Sequence, residues 1–104
     1  MPFDAANYDA PVTNPVTELL EHAWSLIDTP QKWCRCAYQT ADGRHCSLGA
    51  LHAVSDDYDD PVCYRAVARL SGVMGNIVIF NDRRSYAEIS AAWQRAIALS
   101  RRYG

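Results

Sequence analysis

Three helix-start signals divide this chain and restrict the folds that are open to it. Asn14-Pro15 and Asp60-Pro61 each place a capping side chain before a proline at the first helical position. Ser85 and Glu88 have the spacing of a capping box, in which each side chain bonds the backbone N–H of the other residue. At 104 residues the chain has the size of one domain, so these signals predict a single bundle of short helices.

Apolar residues follow each start signal at three- and four-residue spacing, which is typical of a helix with one buried face. A fourth helix is predicted after the turn signal Asp42-Gly43. The four predicted helices cover about residues 14–27, 46–54, 61–74 and 85–102. We expect one shared core, and its largest members should be Leu20, Trp24, Leu51, Leu70, Trp93 and Ile97.

Two segments have no decisive periodicity. Residues 33–38 fit a short strand or an irregular crossover, and residues 77–80 fit a strand, a helical turn or a buried link. The predicted fold class is therefore mostly all-α: a compact four-helix domain with an irregular crossover and room for one short two-stranded element. Residues 1–13 are predicted to be an irregular N-terminal arm, and residues 14–104 the single helical domain.

Charge and hydropathy exclude several broad classes of protein. Apolar residues make up 49% of the chain, too much for a disordered protein, yet no stretch approaches a membrane span. The net charge is −2, whereas a dedicated nucleic-acid binder needs a basic excess. The first residues lack the pattern of a secretory signal, so we expect a cytoplasmic protein with reduced cysteines and without a cofactor.

One hypothesis makes Cys46 the nucleophile of a cysteine-dependent enzyme. A cysteine at a helix N-terminus feels the positive end of the helix, which favours the thiolate. Such an enzyme also needs a histidine base and a group that orients it. His52 lies on the same predicted helix, and His22 would come from another helix with Asn81 or Asp82 as the orienting group. The alternative is that Cys46 packs as a small core residue. This is the favoured interpretation, in which the chain has no catalytic residue.

A second hypothesis is a structural zinc site. Cys34, Cys36, Cys46 and His52 are the candidate ligands, because thiolate and imidazole together suit zinc. The spacing is Cys-x-Cys, however, without the paired knuckles of known zinc domains. We therefore expect no metal, and the cysteines then act as small apolar residues.

Polar residues before the capping box are candidates for binding. Asn81, Asp82, Arg83 and Arg84 are expected to be exposed in a turn, where they could hold an anion or a partner's carboxylate.

The acidic residues 56–60 lack the pattern of a calcium loop and are interpreted as a solvated loop.

Three groups of residues resemble a known family. They are Trp33 with Ala37 and Asp42-Gly43; Cys46 with Gly49, Ala50, Leu51 and Ala53; and Asn81-Asp82 ahead of Ser85 and a final helix with Ala96-Ile97. Over about residues 15–100 the chain resembles small uncharacterised proteins, a domain of unknown function, from actinobacteria, other bacteria and tailed phages. Phe80 stands where that family has a tryptophan. The resemblance implies a helical fold and a connection to phages, and it carries no activity.

The function predicted from the sequence is a small non-enzymatic module for protein interaction or regulation. In its most specific form it is a phage or mobile-element protein that docks on a host complex and inhibits it. The expected partner is a protein, with no membrane and no nucleic acid. The enzyme centred on Cys46 and the zinc-stabilised domain remain the alternatives.

Overall fold

Asn14 begins the first helix as the sequence predicts. In the computed structural model of this chain, which describes residues 14–55 and 59–104, its side chain accepts the N–H of Thr17 at 2.9 Å. The described residues form five α-helices joined by turns and by one irregular crossover. Their bounds are α1 Pro15–Ser25, α2 Ser47–Val54, α3 Pro61–Met74, α4 Ile77–Arg83 and α5 Tyr86–Tyr103. The mostly helical prediction is confirmed, whereas the predicted arm at 1–13 and most of the acidic loop lie outside the described residues.

The count of four helices is wrong, because residues 77–80 begin a fifth helix and form no strand. Asn76 explains this outcome, since its side chain accepts the N–H of Ile79 at 3.0 Å and caps α4. The cap and the burial of Ile77 in the core outweigh the preference of β-branched residues for strands.

Residues 33–38 form no strand either, so of the two alternatives predicted for them the irregular crossover is observed, and the short two-stranded element is not. Isolated bridges take its place: His45 pairs with Trp33 in the parallel sense and with Gln39 in the antiparallel sense. We call residues 26–46 the crossover. It leaves α1, includes the short 3₁₀ turn Pro30–Lys32, and ends where Cys46 caps α2.

Helices α1, α3 and α5 pack against one another around the core, and α2 packs on α1 and α3. The two ends of α1 are tied to the opposite ends of α5. Asn14 donates to the carbonyl of Ser100 at 2.9 Å, and the Tyr86 hydroxyl donates to the carbonyl of Ile27 at 2.6 Å. These bonds fix α1 and α5 as antiparallel neighbours.

Five of the six predicted core residues are buried in one cluster: Leu20, Leu51, Leu70, Trp93 and Ile97. Trp24 is only partly buried, because its ring lies at the edge of the core between Tyr86 and Trp93.

Among the described residues no single helix is long and apolar enough to cross a membrane. Only α3 and α4 together pass that test of length and composition, and they are bent by 49°.

Candidate functional site

Asn81 holds the crossover against the helices through a buried hydrogen-bond network. Its side-chain oxygen accepts the indole N–H of Trp33 at 2.7 Å, and the backbone N–H and hydroxyl of Ser47, each at 2.9 Å. Its amide nitrogen donates to the carbonyl of Cys34 at 3.0 Å. Trp93 extends the network into the core by donating to the Ser47 hydroxyl at 3.0 Å.

The expectation that Asn81 is exposed in a turn is wrong. Asn81 has no exposed surface, because it lies one helical turn after Ile77 and shares the inward face of α4. The network satisfies its donors and acceptors, as a buried amide requires. Its observed role is to position the crossover, and the earlier prediction that it binds a partner directly stays a prediction.

Asp82 holds the next part of the crossover in an unusual conformation. Its carboxylate accepts the backbone N–H of Cys36 at 2.9 Å. Cys36 has a φ of 62°, which places a residue with a side chain in the left-handed region. Such conformations cost roughly 1–3 kcal/mol and are concentrated at functional sites. The strained turn therefore marks this end of the crossover as a candidate site.

A pocket of about 320 Å³ opens beside this turn. It is lined by Cys36, Ala37, Tyr38, Cys46, Val78 and Asp82. The crossover supplies one wall, α4 supplies the other, and Cys46 lies at the start of α2. Two cysteines and one aspartate therefore line a largely apolar space.

Cys46 caps α2, and its burial opposes the effect predicted for a helix N-terminus. Its sulfur accepts the N–H of Gly49 at 3.3 Å, and the residue is only 3% exposed. Burial raises the pKa of the Cys46 thiol above its ordinary value, while the N–H groups of Gly49 and Leu48 lower it by less. Desolvation of the charged sulfur therefore outweighs the effect of the helix N-terminus, on which the enzyme hypothesis depends.

The histidines proposed as catalytic bases lie on two different helices. His22 is exposed on α1. His52 lies on α2, where its ring packs against Tyr38 with the ring centroids 6.0 Å apart. Asn81, one of the two candidate orienting groups, is engaged by Trp33, Ser47 and Cys34. The enzyme hypothesis therefore loses Asn81 as its orienting group.

The candidate zinc ligands are only partly brought together. Cys34 and Cys46 are neighbours in the crossover, and Cys46 contributes to the raised pKa of Cys34 after burial, the larger cause. Cys36 is exposed, and His52 faces Tyr38. Across the described ranges 14–55 and 59–104, no group of three or more Cys, His, Asp or Glu side chains has an arrangement that could hold a metal ion.

Arg83 and Arg84 are exposed at the end of α4, as expected. The Arg84 guanidinium lies 5.0 Å from the centre of the Phe80 ring and forms a salt bridge of 3.0 Å with Glu88. Together with Phe80 and Ile79, the two arginines border a shallow depression of about 220 Å³. Anion binding at this place stays a prediction.

Sequence reasoning missed a grooved surface that carries two exposed tyrosines. The pocket beside Cys36 meets a second depression at Tyr38, and the second meets a third at His52. Tyr38 is 59% exposed and Tyr64 is 61% exposed. We call this surface the tyrosine face; besides the pocket residues it comprises Gln39, Leu48, Gly49, His52, Ala53, Cys63, Tyr64 and Val67. The available signal was Tyr64, which follows the buried Cys63 and so lies on the outward side of α3.

Comparison with known proteins gives a family but no activity. The profile of a family of unknown function (DUF6197) matches residues 11–99, which is most of the chain. No curated protein and no solved structure matches the chain at a significant level.

Proposed function

We propose that this chain, which belongs to the family of unknown function DUF6197, is a non-enzymatic protein-interaction module that docks its partner on the tyrosine face. Docking of this kind can regulate the partner, and inhibition of a host complex by a phage or mobile-element protein stays the most specific prediction. The support comes from the composition of the face, its partly rigid framework and the charges at its two ends.

The observation that carries the proposal is the scarcity of charge among the residues lining the tyrosine face. Within the ranges 14–55 and 59–104 that the structure describes, Asp82 and His52 are the acidic and basic residues that line its three depressions. The depressions beside Tyr103 and beside Ile79 each contain two arginines. The centres of protein interfaces are poor in charge and rich in tyrosine, and exposed apolar patches mark binding surfaces.

The backbone beneath the tyrosine face is held in place before a partner binds. Tyr38 belongs to the crossover, whose backbone is fixed here because Cys46 donates to the Tyr38 carbonyl at 3.2 Å. Gly49 allows this close approach: a Cβ at that position would lie within 2 Å of the same carbonyl oxygen. A surface that is already ordered loses less conformational entropy on binding.

Charges at the ends of the face indicate the chemistry of the partner. Asp82 lies at one end, and Asp60 lies one helical turn before Tyr64 at the other. We therefore propose a partner segment whose apolar side chains enter the depressions and whose flanking side chains are basic. Complementary charge of this kind sets orientation and association rate more than affinity.

Photo-crosslinking in the native cell tests the proposal. A photoreactive phenylalanine analogue replaces Tyr38, Tyr64 or Tyr103 in turn. Tyr103 is the matched control, since it is 64% exposed and lies outside the tyrosine face. One and the same protein should crosslink from positions 38 and 64 and not from position 103.

Binding of the identified protein gives the quantitative test. Tyr38→Ala should weaken its affinity by about 30-fold or more, the loss typical of an interface hot spot, and Tyr103→Ala should leave it unchanged. Equal crosslinking from all three positions, or equal affinity of the wild type and Tyr38→Ala, would contradict the proposal.

Thiol chemistry separates this function from the enzyme centred on Cys46. A catalytic thiolate is alkylated rapidly below pH 7. The raised pKa of Cys46 predicts slow alkylation by iodoacetamide at neutral pH and a rate that increases as the pH rises. Cys36→Ser removes the exposed thiol from this measurement, and rapid labelling of Cys46 in that variant would favour the enzyme.

A further inference from the structure

The hydrogen bonds around His45 set the register of two chain segments. The N–H of His45 donates to the carbonyl of Lys32 at 3.0 Å, and the N–H of Cys34 donates to the carbonyl of His45 at 2.9 Å. This is the pattern of a parallel pair in which Trp33 lies opposite His45. Extending this register by one residue along both segments places Cys34 beside Cys46.

This register brings two buried thiols close together. Paired segments lie about 5 Å apart, and disulfides join residues whose Cα atoms are about 4.4–6.8 Å apart. Cys34 is 7% exposed, Cys46 is 3% exposed, and both are free thiols. The effect of Cys46 on the pKa of Cys34 agrees with this closeness.

A pocket adjoins one of these two cysteines. Cys46 lines the pocket of about 320 Å³ beside Tyr38, which is far larger than a peroxide molecule. Cys36 lies at the mouth of the same pocket, and its left-handed backbone turns the chain away from the line of Cys34. The exposed thiol of Cys36 is therefore a competing site and not the designated partner.

We propose that Cys34 and Cys46 are an oxidation site at which a hydroperoxide forms a reversible intramolecular disulfide. The Cys46 sulfur attacks the peroxide, the O–O bond breaks, and Cys46 becomes a sulfenic acid while one water, or one alcohol, leaves. The Cys34 sulfur then attacks the Cys46 sulfur, the S–O bond breaks, and a second water leaves. Two thiols lose two electrons and two protons in total, and the peroxide is reduced by two electrons.

The rate of this reaction should be low at neutral pH and increase with pH. The thiolate is the reacting form, and burial raises the pKa of both thiols. The site therefore responds to sustained oxidation, and a thiol reductant restores the two free cysteines.

Peptide mapping of the native wild-type protein tests the inference. The protein is treated with hydrogen peroxide, quenched with catalase, alkylated in denaturant and digested with trypsin. Trypsin places the four cysteines in three peptides, residues 33–35, 36–44 and 45–65, and fragment ions distinguish Cys46 from Cys63 in the last peptide. We expect residues 33–35 linked to residues 45–65 through Cys46, with a mass lower by two hydrogen atoms and full reversal by dithiothreitol.

Variants and alternative products complete the test. Cys36→Ser should form the same disulfide, whereas Cys34→Ala should not form it. A link from Cys36 or Cys63, a disulfide between two molecules, or sulfinic acid without any disulfide would overturn the inference. Because the decisive measurement uses the unmodified chain, it does not depend on the folding of a variant.

Discussion

The helical bundle and the crossover are stabilised by different interactions. In the bundle of α1, α3 and α5, apolar side chains from different helices share one core around the fully buried Trp93. In the crossover, a few backbone groups are held by Asn81 and Asp82, which reach from α4. Apolar packing tolerates many sequences, whereas a buried polar network depends on each member. The conformation of the candidate site therefore depends on the hydrogen bonds of Asn81 and Asp82 more than on apolar packing.

Removal of Trp93 should have the largest effect, because this residue belongs to both regions. Trp93→Ala should lower the free energy of unfolding by about 3–5 kcal/mol, the range for truncation of a large buried aromatic residue. Trp93→Phe keeps one aromatic ring and loses the bond to Ser47, so its smaller cost combines the loss of that bond with the cavity left by the rest of the indole. Denaturant unfolding followed by circular dichroism gives both values. A loss below about 1 kcal/mol for Trp93→Ala would contradict its burial.

Gly49→Ala should have the second-largest effect and act on the contact between α2 and the crossover. The new Cβ would meet the carbonyl of Tyr38 at less than 2 Å, so the backbone has to move. We expect a cost of about 2–3 kcal/mol from overpacking. Gly72→Ala is the matched control, since its Cβ meets nothing within 4 Å in α3, and it should stabilise the helix by about 0.5–1 kcal/mol. Equal effects of the two substitutions in thermal unfolding would refute the close approach.

These two regions also differ in how far the sequence predicts them. Capping and periodicity are local signals, so the start of α5 at Ser85 and the buried face of α3 follow from neighbouring residues. The partners of Asn81 lie 34 to 48 residues away along the chain, and no local pattern pairs them. Asn81 and Arg84 were grouped as one exposed polar turn, although helical spacing places only Asn81 on the inward face. The sequence therefore indicates Cys46 as a residue of the site. It does not indicate the long-range partners of Asn81 or the tyrosine face.

Ser85→Ala should have the smallest of these effects and remain confined to α5. The hydroxyl accepts the N–H of Glu88 at 3.2 Å, and loss of such a cap costs about 1 kcal/mol. Hydrogen bonds from the N–H of Ser85, from Arg84 and from the Ser85 hydroxyl lower the pKa of the Glu88 carboxyl. Its stabilising contribution is therefore present above the ordinary pKa of a glutamate and disappears as the pH falls through the lowered value. Because the Ser85 hydroxyl also donates to the Glu88 carboxylate at 3.1 Å, NMR titration should find the pKa of Glu88 slightly closer to normal in the variant, and an unchanged value would exclude this hydroxyl bond in solution.

The central claim is that the Asn81 network holds the crossover, and with it Tyr38, as a unit separable from the bundle. Hydrogen exchange of Asn81→Ala against the wild type tests this most directly. We predict that Asn81→Ala increases the exchange rates of the amides of the crossover and of Ser47. The increase should be at least about tenfold larger than the increase for the amides of Leu70 and Ile97, because local opening of the crossover no longer has to break the network. The same acceleration in both regions would show one cooperative unit and contradict the claim, as would unchanged exchange in the crossover.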